Sequence, residues 1–292
     1  MDLNRSMDRA DLLTPEGQRF VADLDAVARR LHRERLPVTT WYGGLPDPSV
    51  KASARRAVKR LVRRGGPHAE VAGWDNRGGD HYEPVPGIHD DRGHPWFLYW
   101  EAYWVMTHGP QLAEGARVLD AGGTASLFSA YLASQGPEVH SVDLNPRLVA
   151  AGEELARRTG WNLHSYAMNM TDLDFPDEHF DHAYSICVFE HLDADLRRRA
   201  LAEIARVLKP GGILSITFDY RGKAVFLVQE GLNSDPANLL DSPEAVERHF
   251  GSCPSLALMG DGHFHDNGLS YLTGIGEDRP NYTFGGLFLQ KQ

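Results

Sequence analysis

From Gly115 onward, short apolar runs alternate with stretches whose apolar side chains recur every three to four residues. That alternation predicts strands of a parallel sheet joined by crossover helices. The strand runs are Arg117–Ala121, Glu138–Val142, Asn162–Met168, His182–Cys187, Ile213–Phe218, Ser255–Met259 and Tyr282–Leu289. Between the first five lie helical patterns at Ser126–Gln135, Pro146–Thr159 and Asp195–Leu208, and a further one at Ser242–Phe250. Asn145 is placed to cap the second helix with Pro146 in its first turn, and Lys209-Pro210-Gly211-Gly212 is expected to stop the third. The first 110 residues read differently. Residues 11–36 pattern as a helix that Pro37 ends, and an aromatic-rich helix is expected from Pro95 to His108. Between them, Trp41 to His94 is dense in Gly, Pro and Asp, which set turns. The expected organisation is a helical and loop-rich extension over 1–110, able to cap a substrate, followed by an α/β core over 111–292.

Composition fits an ordinary globular chain: 42% of the 292 residues are hydrophobic and 24% charged. No apolar run approaches the ~20 residues that span a bilayer, so a membrane-embedded chain is not expected. Two cysteines and a polar start, MDLNRSMDRA, argue for a reducing, cytoplasmic setting. A formal net charge of −10 opposes polyanions and hence nucleic acid. One segment runs against it: residues 51–64 carry Lys51, Arg55, Arg56, Lys59, Arg60, Arg63 and Arg64 above apolar positions at helical spacing. A solvated basic helix face is the bland reading, and contact with RNA or an acidic partner the functional one.

The chemistry concentrates where the first core strand ends. Arg117-Val118-Leu119-Asp120-Ala121-Gly122-Gly123-Thr124-Ala125-Ser126 is an apolar strand breaking into a turn of small residues that opens a helix. Small residues let the backbone approach a ligand, and a helix start presents unpaired amides to it. The next strand ends in Asp143, about 20 residues beyond Gly122, where a carboxylate can accept both hydroxyls of a ribose. Taken together, VLDAGGTAS, VDLN, NMTDLDFPDEHFD, CVFEHL and RVLKPGGIL agree in order and spacing with one family. Over residues 112–292 the chain resembles a class I S-adenosylmethionine-dependent methyltransferase.

The resemblance implies a Rossmann-like, seven-stranded sheet with an antiparallel last strand, S-adenosylmethionine as cofactor, and methyl transfer to a small molecule, secondary metabolites included. It places Asp120, Gly122, Gly123 and Thr124 at the methionine end, Asp143 on the ribose, Leu144 on adenine, Asn169 and Met170 at the adenine edge, and Ser185 near the sulfonium. The plain alternative for Asp120 is a carboxylate capping the next helix; for Leu144 and Met170 it is packing. Two departures stand out: Thr124 and Ser126 occupy positions where the family usually has glycine, and Asn169 stands where many relatives carry Asp, leaving an amide oxygen for the adenine amino group.

For the acceptor, His191 after the fourth strand is a candidate general base, since imidazole exchanges protons near neutral pH. Tyr99 and Tyr103 on the aromatic helix and Tyr220 and Arg221 after the fifth strand are candidate substrate contacts; packing and an ordinary surface arginine are the alternatives. His263 and His265 with Asp261 and Asp266 read as a polar loop, and no metal is expected. Two other functions stay open: transfer or cyclisation of the aminocarboxypropyl arm of the same cofactor, and an RNA-directed module resting on residues 51–64. The sequence leaves oligomeric state undetermined.

Overall fold

The computed structural model describes residues 2–40, 44–45, 81–82, 85, 88, 94–221, 238–273 and 281–292. The basic segment at 51–64 lies outside the described residues, as does most of the stretch between Trp41 and His94. In chain order the strands are β1 (Arg5–Ser6), β2 (His81–Tyr82), β3 (Arg117–Ala121), β4 (Glu138–Asp143), β5 (Leu163–Ala167), β6 (Phe180–Ile186), β7 (Leu208–Tyr220), β8 (Leu256–Leu258), β9 (Leu272–Thr273) and β10 (Asn281–Lys291). The helices are α1 (Pro15–Arg33), α2 (Trp96–His108), α3 (Leu127–Ser134), α4 (Pro146–Thr159), α5 (Ala194–Val207) and α6 (Pro243–Phe250).

Five parallel strands run in the order β5-β4-β3-β6-β7, and β10 closes them antiparallel to β7. This is the expected α/β sheet with an antiparallel final strand. The expected strand at Ser255–Met259 forms as β8 on the outer edge of β10; β1 and β9, which have no sequence signature, share that edge, and β2 adds to β9. Covering a long edge in this way blocks pairing with other chains. The turn at Lys209-Pro210-Gly211-Gly212 differs from expectation. The helix ends at Val207, but Leu208 already pairs with Phe180, so the Pro-Gly-Gly stretch becomes an irregularity inside β7 before Ile213 pairs with His182. Asp181 fixes that irregularity by ion-pairing Lys209 and accepting from the Arg117 amide.

Local chemistry explains the helix bounds. Ser126, Asn145, Asp193 and Ser242 each cap the following helix with a side-chain oxygen, and Gly160 ends α4 in the left-handed conformation. Helix α2 is apolar on every side and therefore interior. Trp96, Phe97, Tyr99, Trp100, Tyr103 and Trp104 are buried; Phe97 stacks on Phe284 of β10, and Trp100 on Trp104. The indoles keep their polar edge satisfied: Trp100 Nε1 donates to Asp11 at 2.8 Å and Trp104 Nε1 to the Leu3 carbonyl at 3.1 Å. Thus α1, α2 and the N-terminal strand share one core with the sheet.

Candidate functional site

The carboxyl ends of β3, β4, β5, β6 and β7 form one rim, the edge at which open α/β sheets bind ligands. At its centre is the turn after β3. Gly122 has φ +86°, and a Cβ there would lie 2.7 Å from Val188, so only glycine keeps this approach open. Ala125 is the other left-handed residue of the turn, with φ 60°. Thr124 and Ser126 are not left-handed, so glycine's freedom is not required where the family usually has it. Thr124 is buried and shares a 2.7 Å hydrogen bond with Ser141, while Ser126 accepts from the Ser129 amide as the cap of α3.

Asp120 lies beneath the turn with no exposed surface. It accepts from the Ser129 hydroxyl and from Ser141 at 3.2 Å, and its Oδ1 has no partner among the described residues. Burial raises its pKa to about 6, against the lowering effect of the two hydroxyls. A Cβ on Gly123 would meet this carboxylate at 2.3 Å, so Asp120 and the glycine pair form one packed unit. Ser185 is likewise buried; its hydroxyl donates to the Ala121 carbonyl at 2.9 Å and ties the tips of β3 and β6 together.

Asp143 stands at the tip of β4, half-buried, with one carboxylate oxygen accepting the Asn145 amide at 2.7 Å. Desolvation raises its pKa, and backbone amides offset part of that. Beside it Leu144 is 72% exposed, an apolar side chain held out in solvent at the rim. On the next strand tip Met170 is buried and Asn169 exposed. The amide oxygen of Asn169 already accepts from the Thr171 amide and hydroxyl, both at 3.0 Å. With its oxygen engaged, Asn169 has its NH₂ group to offer a ligand.

The rim at β6 and β7 holds a group that spacing did not reveal. Cys187, in the left-handed region at φ 52°, donates its thiol to Glu101 of α2 at 2.7 Å and its amide to the Thr217 carbonyl at 3.0 Å. Cys187, Glu190 and Asp219 place one sulfur or oxygen atom each within 4.8 Å of one another. Glu101 is fully buried, which raises its pKa to about 8 although the Cys187 and Thr217 side chains beside it pull it down. Burial, followed by the nearby carboxylates, holds the Cys187 thiol well above its usual range. In sequence Glu101 is only a polar break in an aromatic helix; its partners lie far away along the chain.

The remaining acceptor candidates fall in different places. His191 is 42% exposed at its side chain, 3.9 Å from Glu190. Tyr99 and Tyr103 are buried toward α1: Tyr99 donates to Asp25 at 3.2 Å and Tyr103 packs edge-on against Phe20. Tyr220 is buried and donates to Asp266 at 3.1 Å, and Arg221 is engaged by Asp266 and the Leu269 carbonyl. His263 pairs with Glu247 and His265 with Asp261, not with each other.

A parallel sheet closed by an antiparallel strand, with a glycine turn on its first core strand and a carboxylate on the adjacent tip, is the Rossmann-like fold that methyltransferases share. Over its core the chain is similar to class I S-adenosylmethionine-dependent methyltransferase domains. Residues 112–216 match the family described as a methyltransferase domain. A 123-residue stretch is 35% identical to a ubiquinone/menaquinone biosynthesis C-methyltransferase of Bordetella avium (strain 197N), covering 40% of this chain and 45% of that protein. The corresponding Vibrio campbellii protein (strain ATCC BAA-1116) is 33% identical over 123 residues, covering 40% and 46%. The match therefore spans less than half the length of these relatives. Among solved structures, the [4+2]-cyclase SpnF aligns with a TM-score of 0.50 and 18% identity over 88% of this chain and 98% of its own. A geranyl diphosphate methyltransferase in complex with GPP and sinefungin aligns with a TM-score of 0.50 and 13% identity over 66% and 78%. Both likenesses are of fold. No helix among the described residues is long and apolar enough to cross a membrane.

Proposed function

We propose that this protein binds S-adenosylmethionine along the tips of β3, β4 and β5 and transfers its methyl group to a small organic acceptor. The observation that carries the reading is the juxtaposition of the Gly122 turn, open only because residue 122 lacks a side chain, with Asp143 on the neighbouring tip and the solvent-held Leu144 beside it. The residues present fit the cofactor. Gly122 and Gly123 give backbone access to its methionine end, and Asp120, Thr124 and Ser185 hold the shape of that turn from below. Asp143 keeps an oxygen for the ribose hydroxyls. Leu144 and Met170 supply apolar faces for adenine, whose ring nitrogens can accept from the Asn169 NH₂ group.

When bound, S-adenosylmethionine supplies a methyl on a sulfonium that any aligned nucleophile can displace. The protein's tasks are then alignment and exclusion of water. We assign the acceptor side to the rim of β6 and β7, with residues 1–110 as the cap, Tyr99 and Tyr103 stiffening it from within, and Tyr220 and Arg221 framing the exit of β7. His191 is the candidate base for an acidic nucleophile. A cytoplasmic location suits these roles.

The test uses purified protein, methyl-labelled S-adenosylmethionine and panels of phenols, amines, thiols and carbon acids. Label in an acceptor together with S-adenosylhomocysteine is the expected result. Methylthioadenosine as the product would instead establish transfer or cyclisation of the aminocarboxypropyl arm.

A further inference from the structure

The rim of β6 and β7 gathers a thiol and carboxylates from separate segments of the chain. Cys187 follows β6, Glu190 sits in the short turn after it, and Asp219 lies near the end of β7. Parallel pairing of Ile186 with Thr217, and the Cys187 amide on the Thr217 carbonyl, bring these three segments together. The thiol and the two carboxylates each place an atom within 4.8 Å of the others. Glu101 enters independently, from α2. It is fully buried, one oxygen accepts the Cys187 thiol at 2.7 Å, and the other has no hydrogen-bond partner among the described residues. Glu190 is 4% exposed, and its Oε2 has none either. Among the described residues, Arg197 is a buried cation nearby. It spends Nε on the Phe189 carbonyl and Nη2 on the Asn238 carbonyl, and it faces Glu190 alone of the four acids.

Buried polar groups are satisfied by hydrogen bonds or by a metal, and two carboxylate oxygens here have no partner among the described residues. The donor set decides which metal. Magnesium and calcium take oxygen ligands, whereas zinc accepts thiolate and carboxylate in one tetrahedron and in catalytic sites keeps a position open. Zinc–sulfur and zinc–oxygen bonds of about 2.3 and 2.0–2.2 Å set donor separations of roughly 3.5 Å, against the 4.8 Å within which the three donor atoms lie. We propose that Cys187, Glu190 and Asp219 form a zinc site, with the buried Glu101 carboxylate as the group that orients Cys187. Metal binding stands apart from the methyl-transfer reading. Only the site's use, to hold an anionic oxygen or sulfur of the acceptor, rests on that reading.

The experiment titrates the chelator-treated full chain with zinc alone, and separately with cobalt, following metal content and the near-ultraviolet thiolate-to-cobalt absorption. Calorimetry with S-adenosylmethionine runs in parallel and keeps a failure here distinct from a failure of the cofactor site. One metal per chain with a thiolate band is expected. Cys187→Ser should abolish the band, and Glu190→Gln should weaken zinc binding at least tenfold, each with unchanged circular dichroism and cofactor affinity. His265→Ala should leave zinc binding unchanged. Binding without a thiolate band, undiminished binding in Cys187→Ser, or loss of binding in His265→Ala would overturn the proposal. So would an absence of zinc binding, including the case where an organic ammonium ion stabilises the wild type and not Glu190→Gln.

Discussion

Asp120 shows what a single residue contributes at this site. Its folded-state pKa, about 6 against an ordinary 3.8, is raised by burial first, so the native protein holds that proton more tightly than the unfolded chain does. The associated stability is fully present below about 3.8 and is lost as pH rises through about 6, a difference on the order of 3 kcal/mol. Asp120→Asn cannot ionise. Urea midpoints should therefore fall less for the variant than for the wild type between pH 4 and 7.5; parallel profiles would mean that Asp120 is not desolvated as described. Part of this was legible in the sequence. Asp120 and the glycine pair stand out as a motif, but the cap of the following helix is Ser126, and Asp120 meets that helix through the Ser129 hydroxyl. Which turn residues are left-handed was not legible, because that depends on how Val188 and Ser141 pack against the turn. Gly122 and Ala125 carry the positive φ values, so Thr124 and Ser126 need no glycine.

Among the elements, the core strands and helices were readable because their apolar periodicity coincides with their burial: Arg117–Ala121 and Pro146–Thr159 form over the residues their patterns mark. The two-residue strands β1, β2 and β9 were not, since pieces so short have no period and exist only through pairing at the β10 edge. Nor was the Pro-Gly-Gly stretch, where pairing between β6 and β7 outweighs the turn preference of its residues. Helix α2 was legible as a helix, but its depth follows from a close approach to β10. A Cβ on Gly286 would lie 2.5 Å from the Trp104 ring. Gly286→Ala should therefore destabilise the fold by about 1–3 kcal/mol through overpacking, read as a lower thermal midpoint. An unchanged midpoint would show that α2 can move off the sheet freely.

Across the whole molecule, the cofactor side and the acceptor side differ in how they are encoded. The proposed cofactor side is local: each of its residues lies within a few positions of a core strand tip, so one pass along the chain picks out Gly122, Asp143, Leu144 and Met170 as candidates. The acceptor side is assembled at long range. Glu101 meets Cys187 across 86 positions, and Arg221 meets Leu269 across 48. No spacing rule links such residues, which is why the acid-rich rim at β6 and β7 emerges only from the fold.

The central claim is that the β4 tip holds the ribose of S-adenosylmethionine, and calorimetric titration of that cofactor into folded Asp143→Ala tests it directly. Two charge-assisted hydrogen bonds contribute roughly 1.5–3 kcal/mol each, and their partial loss should weaken affinity by about one to three orders of magnitude. Circular dichroism should stay native, because Asp143 is at a strand end and outside the apolar clusters. Asp143→Asn should fall in between, retaining one acceptor. Near wild-type affinity in Asp143→Ala would contradict the account and move the cofactor away from the Gly122 turn.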